Sequence, residues 1–235
     1  MQREASKTRL IASQNIVQVY DFDREGETFY MGMELPEGES VDGFLRRYPE
    51  GTPWEEAFRI IDGFCKGLVE AHSKNTIHSD IKLGNIFYTT DKIVKVLDFG
   101  LARVVQNPGT SAARDHKTVF DPGSLGALTP AYASYEMLTG EVPSKSDDVF
   151  AAALVAYELL TGKHPFARKP ADEALKMGLK PKRIWILSGG QWRAMKKGLA
   201  LKRADRTGSI TDFHSSLLGE SIAAAFRKYV GKVFR

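Results

Sequence analysis

"IHSDIKLGNIF", residues 77–87, sets Asp80, Lys82 and Asn85 between an apolar run and a strand-like one. An isolated D-x-K-x-x-N is also what a solvated turn looks like, so this spacing alone leaves two readings open. A second stretch, "VLDFGLAR" at 96–103, bears on the choice, because it adds an aspartate and a glycine directly after a β-branched run.

The bulk numbers narrow the field. With 235 residues the chain can form one large domain or two small lobes around a substantial core. Its 43% hydrophobic and 26% charged residues are those of an ordinary soluble globular protein. The formal net charge is +4, and the basic residues are scattered along the chain. A nucleic-acid binder concentrates Lys and Arg on one face, so no nucleic-acid partner is expected. The densest basic stretch, "RAMKKGLALKR", reads as the solvent side of a helix, with a mild attraction to anionic partners.

The one cysteine, Cys65, excludes an internal disulfide and suits a reducing compartment. It recurs with Phe58, Ile61 and Leu68 at helical spacing, which makes it a buried small hydrophobe. No apolar run approaches the roughly 18–20 residues needed to cross a bilayer. "MQREASKTRL" lacks the apolar centre of a secretory signal. A cytoplasmic, soluble protein is expected.

Residues 3 to about 13 read as part of a helix, followed by strand-rich "NIVQVYDF" and "TFYMGMEL" with the turn "DREGE" between them. After "PEGES" the character turns helical. Thr52, Pro53 and Glu55 predict a helix start, with threonine as the cap, running to about Lys74. "NIFYTT" and "IVKVLDF" follow as two short strands. From Gly100 to about Pro130 periodicity is lost, as in a functional or a disordered connection. From Asp147 onward the pattern is helical, and its first helix ends on Gly162. The expected outline is a front piece, residues 1–39, and a larger helical body, residues 40–235.

Taken together, "HSDIKLGN", "LDFG" and "SDDVFAAALVAYELLTGKHPF" resemble the bacterial-type, eukaryotic-like serine/threonine protein kinases. The resemblance covers nearly the whole chain and implies an α+β fold of two lobes, with a truncated small lobe and a mainly helical large one. It also implies ATP and Mg2+ as cofactors and serine or threonine hydroxyls of proteins as substrates. Phosphoryl transfer is mostly positioning and charge neutralisation, and each matched residue has a place in it. Asp80 would accept the substrate hydroxyl proton, and Lys82 would set positive charge beside the transferred group. Asn85 and Asp98 would supply hard oxygen ligands, which suit magnesium and not zinc. His78 belongs to the same loop; Phe99 and Gly100 complete the D-F-G triplet.

More distant positions fit the same template. Thr129 would brace Asp80 and Lys82. Glu136 would pair with Arg206 in the interior, and Asp148 would anchor the catalytic-loop backbone. Met33 stands at the gatekeeper position, with Glu34 and Leu35 as hinge residues offering backbone groups to adenine. Glu4 would be the glutamate of the helix ahead of the first strand.

The sequence also departs from the pattern. Ser79 replaces the arginine of His-Arg-Asp, which in many kinases pairs with a phosphorylated loop. Thr110, Ser111, Thr118 and Ser124 are candidate phosphate acceptors whose modification is expected not to be required for basal activity. Ser134 and Tyr135 stand before Glu136 where the family has Ala-Pro. Only three residues precede Glu4, so neither a glycine-rich loop nor a lysine strand of the V-A-I-K type is present. Adenine and the phosphates would then lose their upper wall, and reduced activity is expected.

Three functional readings follow: a serine/threonine kinase whose first strands lie outside this sequence, a pseudokinase serving as a scaffold, and a small-molecule phosphotransferase. "TPAYASYE" and Arg206 argue against the third. In "SIAAAFRKYVGKVFR" the apolar residues Ile222, Phe226, Tyr229, Val230 and Val233 share roughly one face. That face is expected to pack on the large lobe; the other reading is a membrane-surface helix.

Overall fold

The computed structural model describes residues 13–25, 28–99, 103–104 and 129–219. Glu4, Gly100, the four candidate phosphate acceptors, the helix expected over 3–13 and the apolar face of Ile222 to Val233 lie outside the described residues.

The front piece is a hairpin. Strands β1 (Val19–Glu25) and β2 (Thr28–Met33) pair antiparallel, from Val19 opposite Met33 to Glu25 opposite Thr28. Strand β1 runs on through Asp23, Arg24 and Glu25, so the first three residues of "DREGE" are strand and not turn. Tyr20, Tyr30, Met31 and Met33 all remain exposed on this hairpin. A third strand, β3 (Gly38–Ser40), leads into the short helix α1 (Val41–Leu45), whose start is capped by the Ser40 hydroxyl accepting from Gly43 N–H.

The body is built on two long helices, α2 (Trp54–Ser73) and α4 (Lys145–Thr161), which pack on each other. Between them in sequence come β4 (Thr76–Ile77), β5 (Ile86–Thr89), β6 (Val94–Val96), β7 (Arg103–Val104) and α3 (Tyr135–Leu138). Every residue of α4 from Ser146 to Leu159 is buried, so this helix runs through the core with its few polar side chains at its two ends. It ends at Gly162, as predicted. Helices α5 (Ala171–Lys176), α6 (Gly189–Gly198) and α7 (Ile210–Leu218) complete the lobe, with α6 and α7 packed on each other and on α4.

Helix α2 starts later than the sequence suggests. Thr52 is not its cap: the Thr52 N–H is committed to Leu159 O at 2.8 Å, and its hydroxyl is buried without a hydrogen bond. Pro53 occupies the capping position in extended conformation, and Glu55 and Glu56 supply the negative charge that favours a helix N-terminus. Phe58, Ile61, Cys65 and Leu68 are all buried on its inner face, as their spacing predicts.

Strands β3, β5 and β6 form one antiparallel sheet, and β4 pairs with β7. The stretch leading to β1 joins this sheet in parallel. Val17 N–H donates to Val96 O at 2.9 Å and Val96 N–H to Asn15 O at 2.8 Å. Helix α2 crosses that junction at close range. A Cβ at Gly67 would stand 2.7 Å from Asn15 O, and one at Gly63 would stand 2.5 Å from the Val94 side chain. Only glycine permits this approach, which ties the front stretch to the floor of the site.

Candidate active site

The loop between β4 and β5 carries Asp80, Lys82 and Asn85, and three anchors hold it. The first is Asp148, 1% exposed at the start of α4. Its Oδ2 accepts from His78 N–H at 2.8 Å and from His72 Nε2 at 2.8 Å, and its Oδ1 accepts from Ser79 N–H at 2.9 Å. Burial pushes this carboxyl up, but the hydrogen bonds from His72 and from the His78 N–H outweigh it, holding Asp148 below the usual carboxylate range.

The second anchor is His78, whose ring is fully buried. Its Nδ1 accepts from Asp80 N–H at 3.2 Å, and its Nε2 faces Leu97 O at 2.8 Å. The ring therefore acts as a neutral spacer with its hydrogen on Nε2. Phe99 packs against it with ring centroids 4.5 Å apart. The third anchor is the backbone bond from Leu97 N–H to Asn85 O at 2.8 Å. The last of these bonds fixes the backbone just before Asp98, two residues past β6, to the loop.

Within the loop the charged groups converge. Lys82 Nζ lies 2.6 Å from Asp80 Oδ2 and 3.0 Å from Thr129 Oγ1. Thr129 Oγ1 in turn stands 3.4 Å from Asp80 Oδ1. The Asn85 amide nitrogen is spent on Asp80, at 2.9 Å from its carbonyl and 3.1 Å from Oδ2. That leaves the Asn85 side-chain oxygen as the atom available to a cation. Ser79 and Asp98 both take left-handed backbone angles, φ 69° and 58°. Non-glycine residues adopt these at a cost, and such outliers cluster where geometry serves function.

The turn that brings Thr129 here is pinned from the helical lobe. Tyr132 N–H donates to Thr129 O at 2.9 Å, closing the turn. The Tyr132 hydroxyl donates to Glu158 Oε1 at 2.7 Å, and Arg168 closes on Glu158 Oε2 at 2.7 Å. Burial pushes the Glu158 carboxyl and the Tyr132 hydroxyl up. His164 Nε2–H donates to Ala131 O at 3.0 Å, and its Nδ1 accepts from the N–H groups of Phe166 and Arg168.

Below the turn, Arg206 and Glu136 meet in the interior at 2.8 Å, side chains 0% and 5% exposed. Arg206 also donates to the carbonyls of Ala200, Leu201 and Ser146 and stacks 4.9 Å over the Phe150 ring. Glu136 receives Arg203 N–H at 2.6 Å as well. Burial opposes its charge, but the Arg203 N–H and Arg206 prevail and hold its carboxyl low.

A profile of the protein kinase domain matches residues 1–219, more than nine-tenths of the sequence. The chain belongs to the protein kinase family. Among similar proteins, the serine/threonine-protein kinase PrkC of Bacillus subtilis is 29% identical over 190 residues, 81% of this chain and 27% of PrkC. The probable serine/threonine-protein kinase PknB of Corynebacterium glutamicum is 34% identical over 168 residues, 70% of this chain and 25% of PknB. The serine/threonine-protein kinase Pkn1 of Myxococcus xanthus is 29% identical over 240 residues, 96% of this chain and 33% of Pkn1. The chain thus spans about a quarter to a third of the length of these curated relatives.

For a protein kinase chain, the structure draws Asp80, Lys82, Asn85 and Thr129 into one cluster, with His78 and Phe99 against it, and Asp98 lies in sequence between Phe99 and Leu97, whose N–H is bonded to Asn85 O. Glu34 and Leu35 follow the end of β2. The Glu34 N–H is committed to Gln18 O at 2.9 Å, its carboxylate meets Lys95 at 2.6 Å, and Leu35 is 94% exposed. Sequence reasoning missed His72, Lys95, Asp147 and the Tyr132–Glu158–Arg168 set. Asp147, which takes Ser144 N–H, the Ser134 hydroxyl, Arg203 and Arg206, had one signal, its place directly before Asp148. No helix of the described residues is long and apolar enough to cross a membrane.

Proposed function

We propose that this chain is the catalytic portion of a cytoplasmic serine/threonine protein kinase, moving the ATP γ-phosphate to serine and threonine hydroxyls of proteins. The observation that carries the reading is the shared contact of Lys82 with Asp80 and Thr129. A carboxylate poised to take a hydroxyl proton stands beside a cation able to stabilise charge on a transferred phosphoryl group. Thr129 holds both in register, and Asp148 with His78 prevents the loop backbone from drifting.

The donor chemistry fits magnesium. Among the described residues no three His, Cys, Asp or Glu side chains cluster as a self-sufficient metal cage. Mg2+ is bound by one or two carboxylate or amide oxygens together with substrate phosphates, and Asn85 and Asp98 supply such a pair. When bound, Mg2+ and ATP supply the phosphoryl group and neutralise its charge. This chain's residues orient the accepting hydroxyl and take its proton.

A second reading, a binding or scaffolding module, is favoured by one feature. These 235 residues contain neither a G-x-G-x-x-G loop nor a lysine strand of the V-A-I-K type. Tested by themselves, they are accordingly expected to hold nucleotide weakly and to transfer slowly. Calorimetric titration of the chain with ATP, with and without Mg2+, separates the readings. Weak binding that requires Mg2+ and is lost in Asp98→Ala supports the kinase site. Binding indifferent to both, or none at millimolar ATP, supports the scaffold.

A further inference from the structure

The basic residues look scattered along the sequence, but the acidic ones are not. Between Glu173 and Asp205 lie nine of the 33 basic residues and none of the 29 acidic ones. The rest of the chain therefore carries 24 basic against 29 acidic residues. Two of the nine are satisfied locally, Lys176 by Asp172 and Arg203 by Asp147. Among the described residues Lys180, Lys182, Arg193, Lys196, Lys197 and Lys202 enter no ion pair, and all six are exposed.

This basic tract carries an unusual apolar projection. Between α5 and α6, Ile184 and Leu187 are buried at 6% and 2% exposure, while Trp185 and Ile186 between them stand 86% and 60% exposed. Met177, at the start of the same connection, is 58% exposed. The projection is rigidly mounted. Tyr157 Oη donates to Lys182 O at 3.1 Å, and Arg183 donates to Leu187 O at 3.0 Å. The Arg183 guanidinium lies between two indoles, 5.8 Å from the Trp185 ring and 5.4 Å from the Trp192 ring. A tryptophan and an isoleucine held out in water between the buried Ile184 and Leu187, with a cation close to the indole, are pre-organised for contact.

We infer that this surface is a docking site for an acidic segment of a partner protein carrying a large apolar side chain. Tryptophan and arginine are the residue types that dominate the energy of protein contacts, and one or two rigid anchors are enough. A bilayer would instead require a longer apolar face to insert. The exposed lysines of this tract, which has no acidic residue along its length, attract and orient a negative segment. The site shares no residue with the catalytic loop, so its occupancy can be read without phosphoryl transfer.

The test uses the whole 235-residue chain and a fluorescein-labelled peptide, Glu-Glu-Phe-Asp-Leu-Glu-Glu, read by anisotropy. A second peptide has serine in place of Phe and Leu. Saturable binding of the first peptide is expected, at least about tenfold tighter than of the second. Trp185→Ser should weaken it by at least about tenfold. Lys180→Glu combined with Lys182→Glu should weaken it too, as should added salt. All three side chains are exposed, and circular dichroism checks that the variants fold. Absence of saturable binding, equal affinity for the two peptides, or an unaffected Trp185→Ser variant overturns the inference. So does Trp185-dependent binding to vesicles of mixed neutral and anionic phospholipid without binding to the peptide. None of these results bears on whether the chain transfers phosphate.

Discussion

Asp148, at the start of the buried helix α4, accepts the backbone N–H groups of both His78 and Ser79, 2.8 and 2.9 Å away. The loop that carries Asp80 is thus hung from the core of the large lobe as well as from its own neighbours His78 and Asn85. Asp148→Ala would strand three buried donors, those of His72, His78 and Ser79. It should cost about 3–5 kcal/mol in urea unfolding. Because the folded carboxyl is held below its ordinary value of 3.8, its contribution is present above that pH and is lost as pH falls through the folded value beneath it. The stability gap between wild type and Asp148→Asn should therefore hold from neutral pH down to about 5 and narrow below about 4.

Arg206 is committed to Glu136, to three backbone carbonyls and to the Phe150 ring. Lysine cannot reproduce that planar fork. Arg206→Lys should destabilise nearly as much as Arg206→Ala, about 3–5 kcal/mol by denaturant unfolding, since each leaves the Glu136 carboxylate buried and poorly compensated. Recovery of most of the stability by Arg206→Lys would show that charge alone holds this corner.

His164 gives the turn bearing Thr129 a dependence on pH. Burial first, then the nearby Arg168 charge, against the opposing Ala131 bond, lowers its ring from 6.5 to about 4. The geometry agrees, since protonating Nδ1 would face two N–H donors with a third. The unfolded ring takes up a proton first, so stability should fall as pH drops from 6.5 towards 4, by on the order of 2 kcal/mol. His164→Gln should flatten that slope in thermal unfolding scans across the same range. An unchanged slope would place the dependence elsewhere.

Much of the fold could be read from the sequence because strong local signals agreed with the tertiary outcome. "DREGE" marked the hairpin, the helical pattern from Asp147 onward marked α4, and Gly162 marked its end. Thr52 misled because its N–H was needed by Leu159 in a different element, which no local pattern reveals. The cluster residues Asp80, Asn85 and Asp98 stood out because their chemistry needs ordered spacing along the chain. His72, Lys95 and Glu158 did not, since a lone polar residue in an apolar helix or short strand looks like a surface charge until its partner is placed. The docking projection escaped notice for another reason: Trp185 in "KRIWIL" has the neighbours of a core residue, and only the fold turns it outward.

The central claim is that the cluster around Asp80 supports phosphoryl transfer to serine and threonine. The most direct measurement uses the chain joined to a kinase-like glycine-loop and lysine segment. It is supplied with Mg2+ and γ-labelled ATP, and the labelled amino acids of a protein substrate are identified after hydrolysis. Phosphoserine and phosphothreonine should form, with the rate falling by about a thousandfold or more in Asp80→Ala and in Asp98→Ala. An inert wild-type chain, or an Asp80→Ala variant that keeps its rate, would contradict the account.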